Sequence, residues 1–158
     1  MDDLKVPIRC VDVEVTCADG TTARGSMYHA ERIHQTGSAE DILEELNDER
    51  RFLPFDPVSA SVGELLLNKG HIVRIHVPDL APGDLRPDEV AEIEHAPRCT
   101  LWLRDGTRLA GRPVVETPEA LSRVVDKLNR AQRFMPFVSE DGVDFIQVCH
   151  IVQVVRET

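Results

Sequence analysis

The feature that most constrains this chain is an internal repeat. Three blocks of residues occur twice in the same order, and the two copies share fourteen identical residues. The blocks are residues 19–25 and 105–111, residues 46–55 and 128–137, and residues 63–73 and 142–152. Their spacing falls from 86 to 82 to 79 residues, and it changes only between blocks, where loops are expected. This pattern indicates duplication of one structural unit. We therefore predict domains at residues 1–80 and 98–158, joined by a Pro-rich acidic linker at residues 81–97.

Both copies predict the same secondary structure. Apolar and polar residues alternate over residues 11–17, which indicates a half-buried strand, and the Asp-Gly pair at residues 19–20 predicts a hairpin turn. Ser38 is a candidate N-cap for a short helix that stops near Asn47. A strand that ends in proline and a closing hairpin complete the order β-β-α-β-β-β. Five short strands in about 65 residues bury both faces best in a closed sheet. We predict a mainly β (α+β) fold of two tandem small SH3-like or Sm-like β-barrels.

The order of these motifs resembles a small, uncharacterised bacterial domain. The likeness rests on the Arg-Phe-Leu-Pro-Phe sequence at residues 51–55 and on the Asn-Lys turn that precedes His71. A typical copy of that domain carries RFIPL or RFLPL, and later INK followed by HI. The second repeat departs from this pattern at residues 147–149, which read Gln-Val-Cys. The resemblance implies a tandem pair of that domain in a bacterial protein, and it implies no activity.

Charge is distributed unevenly along the chain. The formal net charge is −10, of which residues 1–77 carry −6, residues 78–97 carry −5 and residues 98–158 carry +1. Neutralisation of phosphate is the main source of affinity for nucleic acid and anionic lipid, so this acidic balance disfavours both partners. No run approaches the roughly 18 apolar residues of a membrane-spanning helix, and the first residues do not resemble a secretory signal. We expect a cytoplasmic protein without membrane contact.

Catalytic and metal-binding motifs are absent from the sequence. There is no P-loop, no HExxH helix and no recognisable Ser-His-Asp or Cys-His arrangement, so we expect no enzyme activity and no cofactor. The four cysteines form no CxxC pair, which predicts free thiols. The pairs His29 with His34 and His95 with Cys99 lack a recognised ligand spacing, so we expect no metal site.

Four recurring polar residues are candidates for a ligand site. Arg51 and Arg133 open the most distinctive shared motif, and His71 and His150 are the histidines that recur. Arginine binds phosphate and carboxylate in a bidentate manner, and histidine can transfer protons. These four residues could line a site for a small anionic ligand or nucleotide between the repeats. The alternative is structural, with arginine paired to a nearby carboxylate and histidine shaping its turn.

The recurring aromatic residues are predicted core residues. Phe52, Phe55, Phe134 and Phe137 alternate along two strands and are predicted to lie in the core.

Strand alternation places Trp102 away from its own core, and Val148 and Val155 stand where the first repeat has Lys69 and His76. An exposed apolar set of this kind is typical of an interface. We therefore predict a non-enzymatic binding or scaffold module that acts through protein–protein contact. Its partner would be another protein or a second copy in a homodimer, and the alternative is a small-ligand or nucleotide sensor.

Overall fold

Ten antiparallel strands and two short helices form the described part of the chain. The computed structural model describes residues 8–30, 38–58, 65–85, 90, 93, 96–115, 117 and 123–157. The first repeat contains β1 (Ile8–Cys17), β2 (Thr22–Ala30), α1 (Ser38–Asn47), β3 (Phe52–Pro57), β4 (Leu65–Asn68) and β5 (Ile72–Val77). The second contains β6 (Cys99–Leu103), β7 (Arg108–Pro113), α2 (Val124–Arg130), β8 (Phe134–Ser139), β9 (Gly142–Gln147) and β10 (Ile151–Arg156). The predicted β-β-α-β-β-β order is confirmed in both repeats.

The same tight turn connects the first two strands of each repeat. Gly20 and Gly106 have φ angles of 88° and 91°, a left-handed conformation that glycine adopts without steric cost. In both turns the aspartate carboxylate accepts a hydrogen bond from the backbone N–H of the threonine two residues later, at 3.0 and 3.1 Å. The recurrence of Asp-Gly-Thr therefore has a local cause, since each of the three residues shapes the turn.

All ten strands belong to one open sheet. Its order is β10-β6-β7-β8-β9-β5-β1-β2-β3-β4, so each repeat contributes five neighbouring strands in an equivalent order. The repeats join where β5 pairs with β9, with residues 74–77 opposite residues 146–143. The prediction of two small SH3-like or Sm-like barrels is not confirmed. To close such a barrel, β5 would have to pair with β4 of its own repeat, but β9 occupies that side of β5.

Side chains from both repeats build each hydrophobic core. The core of the first repeat, which lies under α1, includes Phe134, Val143 and Phe145 of the second repeat. The core of the second repeat includes Val73, which belongs to β5 of the first. The exchange is reciprocal, so neither repeat buries its apolar surface alone.

The segment predicted to be a linker also packs against the first core. Leu85 is buried in it, next to Leu80 at the end of the predicted first domain, and Val90 and Ile93 are partly buried against it. The described part of residues 81–97 therefore covers apolar surface as well as connecting the repeats.

Candidate functional site

A buried side-chain amide at the end of β9 forms hydrogen bonds between the two repeats. The Gln147 side chain donates hydrogen bonds to the carbonyl oxygens of Lys69 and Ile72, at 2.8 and 2.6 Å. Arg133 Nε donates to Gln147 Oε1 at 2.7 Å and so fixes which end of the amide points to the first repeat. Buried carbonyl groups need such partners, because an unpaired one costs about 1–3 kcal/mol.

Two further side chains cross between the repeats. His150 Nε2 lies 2.6 Å from the carbonyl oxygen of Gly70, and it must donate because a carbonyl can only accept. Asn47, at the end of α1, accepts from the backbone N–H of Phe134 at 2.7 Å and donates to its carbonyl oxygen at 3.1 Å. Together with Arg133, Gln147 and the β5–β9 pairing, these contacts form what we call the junction.

A buried carboxylate lies in the middle of the junction. Asp144 in β9 is opposite His76 in β5, and Asp144 Oδ1 lies 3.0 Å from His76 Nδ1. Burial raises the pKa of Asp144, and the nearby His76 and Arg74 only partly oppose this effect. A buried carboxylate is costly without its partner, so this pair favours one register between the repeats.

The structure separates the four predicted polar residues into two pairs. Arg133 and His150 act in the junction. Arg51, which precedes β3, and His71, which follows β4, are their counterparts in the first repeat and are exposed, although the carbonyls of Gly70 and Ile72 on either side of His71 belong to the junction. Whether these four residues line a ligand site stays a prediction.

Both ends of the described sheet expose apolar side chains. No described strand pairs with the outer side of β4 or β10. Edge strands present unpaired backbone groups, and native proteins usually protect them with charge or proline. Here the exposed large hydrophobic residues include Phe52 and Leu66 at one end and Val152 and Val155 at the other. We define the β4 edge as Arg51, Phe52, Leu66, Asn68 and His71, and the β10 edge as Asn129, Val148, Cys149, Val152 and Val155.

Phe52 contradicts the prediction that all four recurring phenylalanines lie in the core. Phe55, Phe134 and Phe137 are buried, whereas Phe52 is half exposed. Its strand position is equivalent to that of Phe134, which is covered by the other repeat. The sequence does not predict the β4 edge, because the two phenylalanines have the same local sequence and differ only in the strand that lies next to them.

The predicted interface residues differ in accessibility. Trp102 lies on the face of β6 opposite its buried neighbours and is half-buried, with the Arg108 guanidinium 4.1 Å from the ring centroid in a cation–π contact. Val148 packs partly against the second core, and Val155 is exposed. The role of these three residues in an interface stays a prediction.

A cavity of about 340 Å³ lies between α1 and the second repeat. Leu43, Phe134 and Met135 contribute apolar surface to it, and Glu40, Glu44 and Arg130 contribute charge. None of Arg51, Arg133, His71 and His150 is among its lining residues. The cavity therefore lies elsewhere than the predicted anion site.

The described residues offer no metal centre. No group of three or more His, Cys, Asp or Glu side chains in this part of the chain could hold a metal ion. His34 and His95, which belong to the two candidate pairs, lie outside the described residues. Within the same ranges, no helix has the length and apolar character needed to cross a membrane.

The four cysteines are free, and one of them is fully buried. Burial, with a smaller contribution from Glu157, raises the pKa of Cys99 to about 11. The thiolate is the nucleophilic form, so Cys99 is an unreactive core residue at neutral pH.

Comparison of the chain with protein-family models, with curated proteins and with solved structures gives no significant match. The candidate functional site is therefore assigned from the geometry of this chain, and it consists of the junction and the two exposed sheet edges.

Proposed function

We propose that the protein is a non-enzymatic binding or scaffold module that makes protein–protein contacts through its β4 and β10 edges. The observation that carries this proposal is the exposure of large apolar side chains on the two end strands of the described sheet. An added strand gains backbone hydrogen bonds along the edge, while the alternating side chains provide specificity. On this proposal each repeat is a variant of a small SH3-like or Sm-like unit that leaves one edge to a partner.

Site-specific photocrosslinking in living cells tests the proposal. A photoreactive amino acid replaces Leu66 or Val155, and Val58 is the matched control because it is 80% exposed and lies beyond the end of β3. We expect discrete protein adducts at positions 66 and 155 and none at position 58. Equal adducts at all three positions, or none at the two edges, would contradict a protein-binding role for the edges.

The cavity between the repeats supports a second candidate, a sensor of a small ligand. Two carboxylates and one arginine line this cavity, so its charge favours a ligand with a cationic group over a nucleotide. Thermal unfolding with a panel of polyamines and a panel of nucleotides separates these cases. This candidate would be supported if amines raise the Tm of the wild type but not that of the cavity-filling Leu43→Trp variant. A Tm that stays constant with both panels would remove it.

A further inference from the structure

The junction joins two different sides of the repeated unit. The first repeat contributes β5, the Asn47 side chain and the carbonyl groups of residues 69–72. The second contributes β9 and the side chains of Arg133, Gln147 and His150. The corresponding free sides of the two repeats are the β10 edge and the β4 edge. The structure thus already contains an example of how these two edges would fit together.

The β4 edge carries nearly the same contact residues as the covered side of the second repeat. By the alignment of the repeats, the counterparts are Arg51 for Arg133, Phe52 for Phe134, Asn68 for Gln147 and His71 for His150. Three of these four pairs are identical, and the fourth exchanges one side-chain amide for another. On the other side, Asn129 is the counterpart of Asn47. The side chains that cross the junction at Arg133, Phe134, Gln147, His150 and Asn47 therefore have identical or similar counterparts, and these counterparts are exposed.

Burial shows that the free copies lack a covering partner. Three apolar residues of the junction that enter the opposite core have an exposed counterpart at an edge. The exposed fractions are 51% for Phe52 against 1% for Phe134, 49% for Leu66 against 0% for Phe145, and 67% for Val152 against 0% for Val73. The same exchange of side chains that completes the cores within the chain can therefore complete them between chains.

The junction register, transferred to the free edges, places apolar residues opposite each other. In the junction Ile75 is opposite Phe145 and His76 is opposite Asp144. Equivalent residues in the two repeats are 79 positions apart here. The equivalent pairs at the free edges are therefore Val154 opposite Leu66 and Val155 opposite Leu65. The buried polar pair of the junction becomes an apolar pair, which needs no compensating hydrogen bond.

Charge distinguishes the possible pairings of edges. Residues 1–77 carry −6 and residues 98–158 carry +1. A contact between two β4 edges would join two acidic repeats, whereas a contact between β4 and β10 joins an acidic repeat to a weakly basic one. Charge complementarity therefore favours the unlike pair of edges.

From these observations we infer that the chain assembles head to tail with further copies of itself, β10 of one molecule pairing with β4 of the next. This inference rests on the proposed function and names the partner. In the new contact, His71 donates to the Cys149 carbonyl of the neighbouring molecule, and Asn129 takes the role that Asn47 has in the junction. Such an interface is heterologous, so repetition produces a closed ring or an open filament according to the rotation between copies.

Sedimentation velocity over a concentration series, with two edge variants, tests the inference. Leu66→Lys disables the β4 edge and Val155→Lys disables the β10 edge, and both positions are exposed in the single chain. We expect wild-type protein to form species larger than a dimer. Each variant alone is expected to stay at 17.7 kDa, with association weakened at least tenfold. An equimolar mixture of the two variants should form a dimer and nothing larger, because it retains one intact β10 edge and one intact β4 edge.

Two controls keep this experiment decisive. Val58→Lys should assemble like the wild type, and far-UV circular dichroism should show that all variants are folded. If one variant assembles normally while the other does not, or if the mixture fails to form the dimer, the head-to-tail contact is wrong. A wild type that stays monomeric up to millimolar concentration would overturn this inference, but crosslinks from positions 66 and 155 to other proteins would still support the proposed function.

Discussion

A Cβ atom has no room at Gly25 or Gly111, the glycines that recur in the second strand of each repeat. At Gly111 it would lie 2.2 Å from the carbonyl oxygen of Val138 in the facing strand. We expect Gly111→Ala to lower the free energy of unfolding by about 1–3 kcal/mol, because backbone has to shift. Gly83→Ala is the matched control, since no atom lies within 4 Å of that Cβ. Urea unfolding measures both variants, and equal stability of the two would contradict the steric argument.

Lys69 is a charged residue without solvent contact, and its partners set a pH dependence. Its ammonium donates to the Glu45 carbonyl oxygen at 2.6 Å and to Asp48 Oδ1 at 2.7 Å. Partial burial alone would raise the pKa of Asp48, but hydrogen bonds from Arg50 and Lys69 lower it to about 2. The stabilisation that Asp48 provides is therefore present above its ordinary value of 3.8 and is lost as the pH falls toward 2.

We expect the free energy of unfolding to decrease between pH 4 and pH 2, and Asp48→Asn to weaken that dependence. Asp144→Asn is an informative comparison because the pKa of Asp144 is raised. The stabilisation from Asp144 is fully present below pH 3.8 and is lost as the pH rises above that value, so Asp144→Asn should leave the decrease between pH 4 and pH 2 in place and remove a decline in stability above pH 4. Guanidinium unfolding at fixed pH values measures all three proteins. A wild-type stability that does not change with pH over this interval would show that Asp48 is not held as described.

At the scale of elements, the junction depends on one amide at the end of β9. Gln147→Ala would remove the amide donor of the buried Ile72 carbonyl and one of two donors of the Lys69 carbonyl, which also accepts from the Ile72 N–H, so we expect a loss of about 1–3 kcal/mol in urea unfolding. Asn68→Ala, the equivalent change at the exposed β4 edge, removes only an acceptor for the Gly70 N–H and should cost about 1 kcal/mol or less. A larger effect from Asn68→Ala in the monomer would contradict the difference between the covered and free copies.

Local sequence was sufficient to predict most elements but not the arrangement of the sheet. Alternation along residues 11–17 and the Asp-Gly turn depend on neighbouring residues only, and β1 and its hairpin were predicted correctly. The pairing of β5 with β9 depends on residues about 70 positions apart, and nothing in either strand excludes closure onto β4. The sequence therefore predicted ten strands in two repeats, but not that they form one open sheet.

The candidate site was predictable only in part, for the same reason. His150 and His71 are equivalent in sequence, yet His150 is buried against the Gly70 carbonyl and His71 is exposed. In each equivalent pair, one residue is covered because β5 pairs with β9 within the molecule. The other residue is exposed because β10 and β4 do not pair within the described sheet. Val155 was selected from the sequence as an apolar substitution, whereas Leu66 became a candidate only when β4 proved to be an end strand.

At the scale of the whole molecule, the exchange of core residues predicts that both repeats unfold together. Ile42 is buried in the first core, and Ile42→Ala should cost about 2–5 kcal/mol and lower Tm by about 2–4 °C for each kcal/mol. Trp102, the single tryptophan, lies in the second repeat and reports on that repeat by fluorescence. Because Phe134 and Phe145 of the second repeat complete the first core, we expect the Trp102 transition to move to the same lower temperature as the far-UV circular dichroism transition. Val152→Ala, at an exposed position, should leave both transitions unchanged at low protein concentration. A Trp102 transition that stays at the wild-type temperature in Ile42→Ala would mean that the repeats unfold independently, and the shared cores would then not couple them.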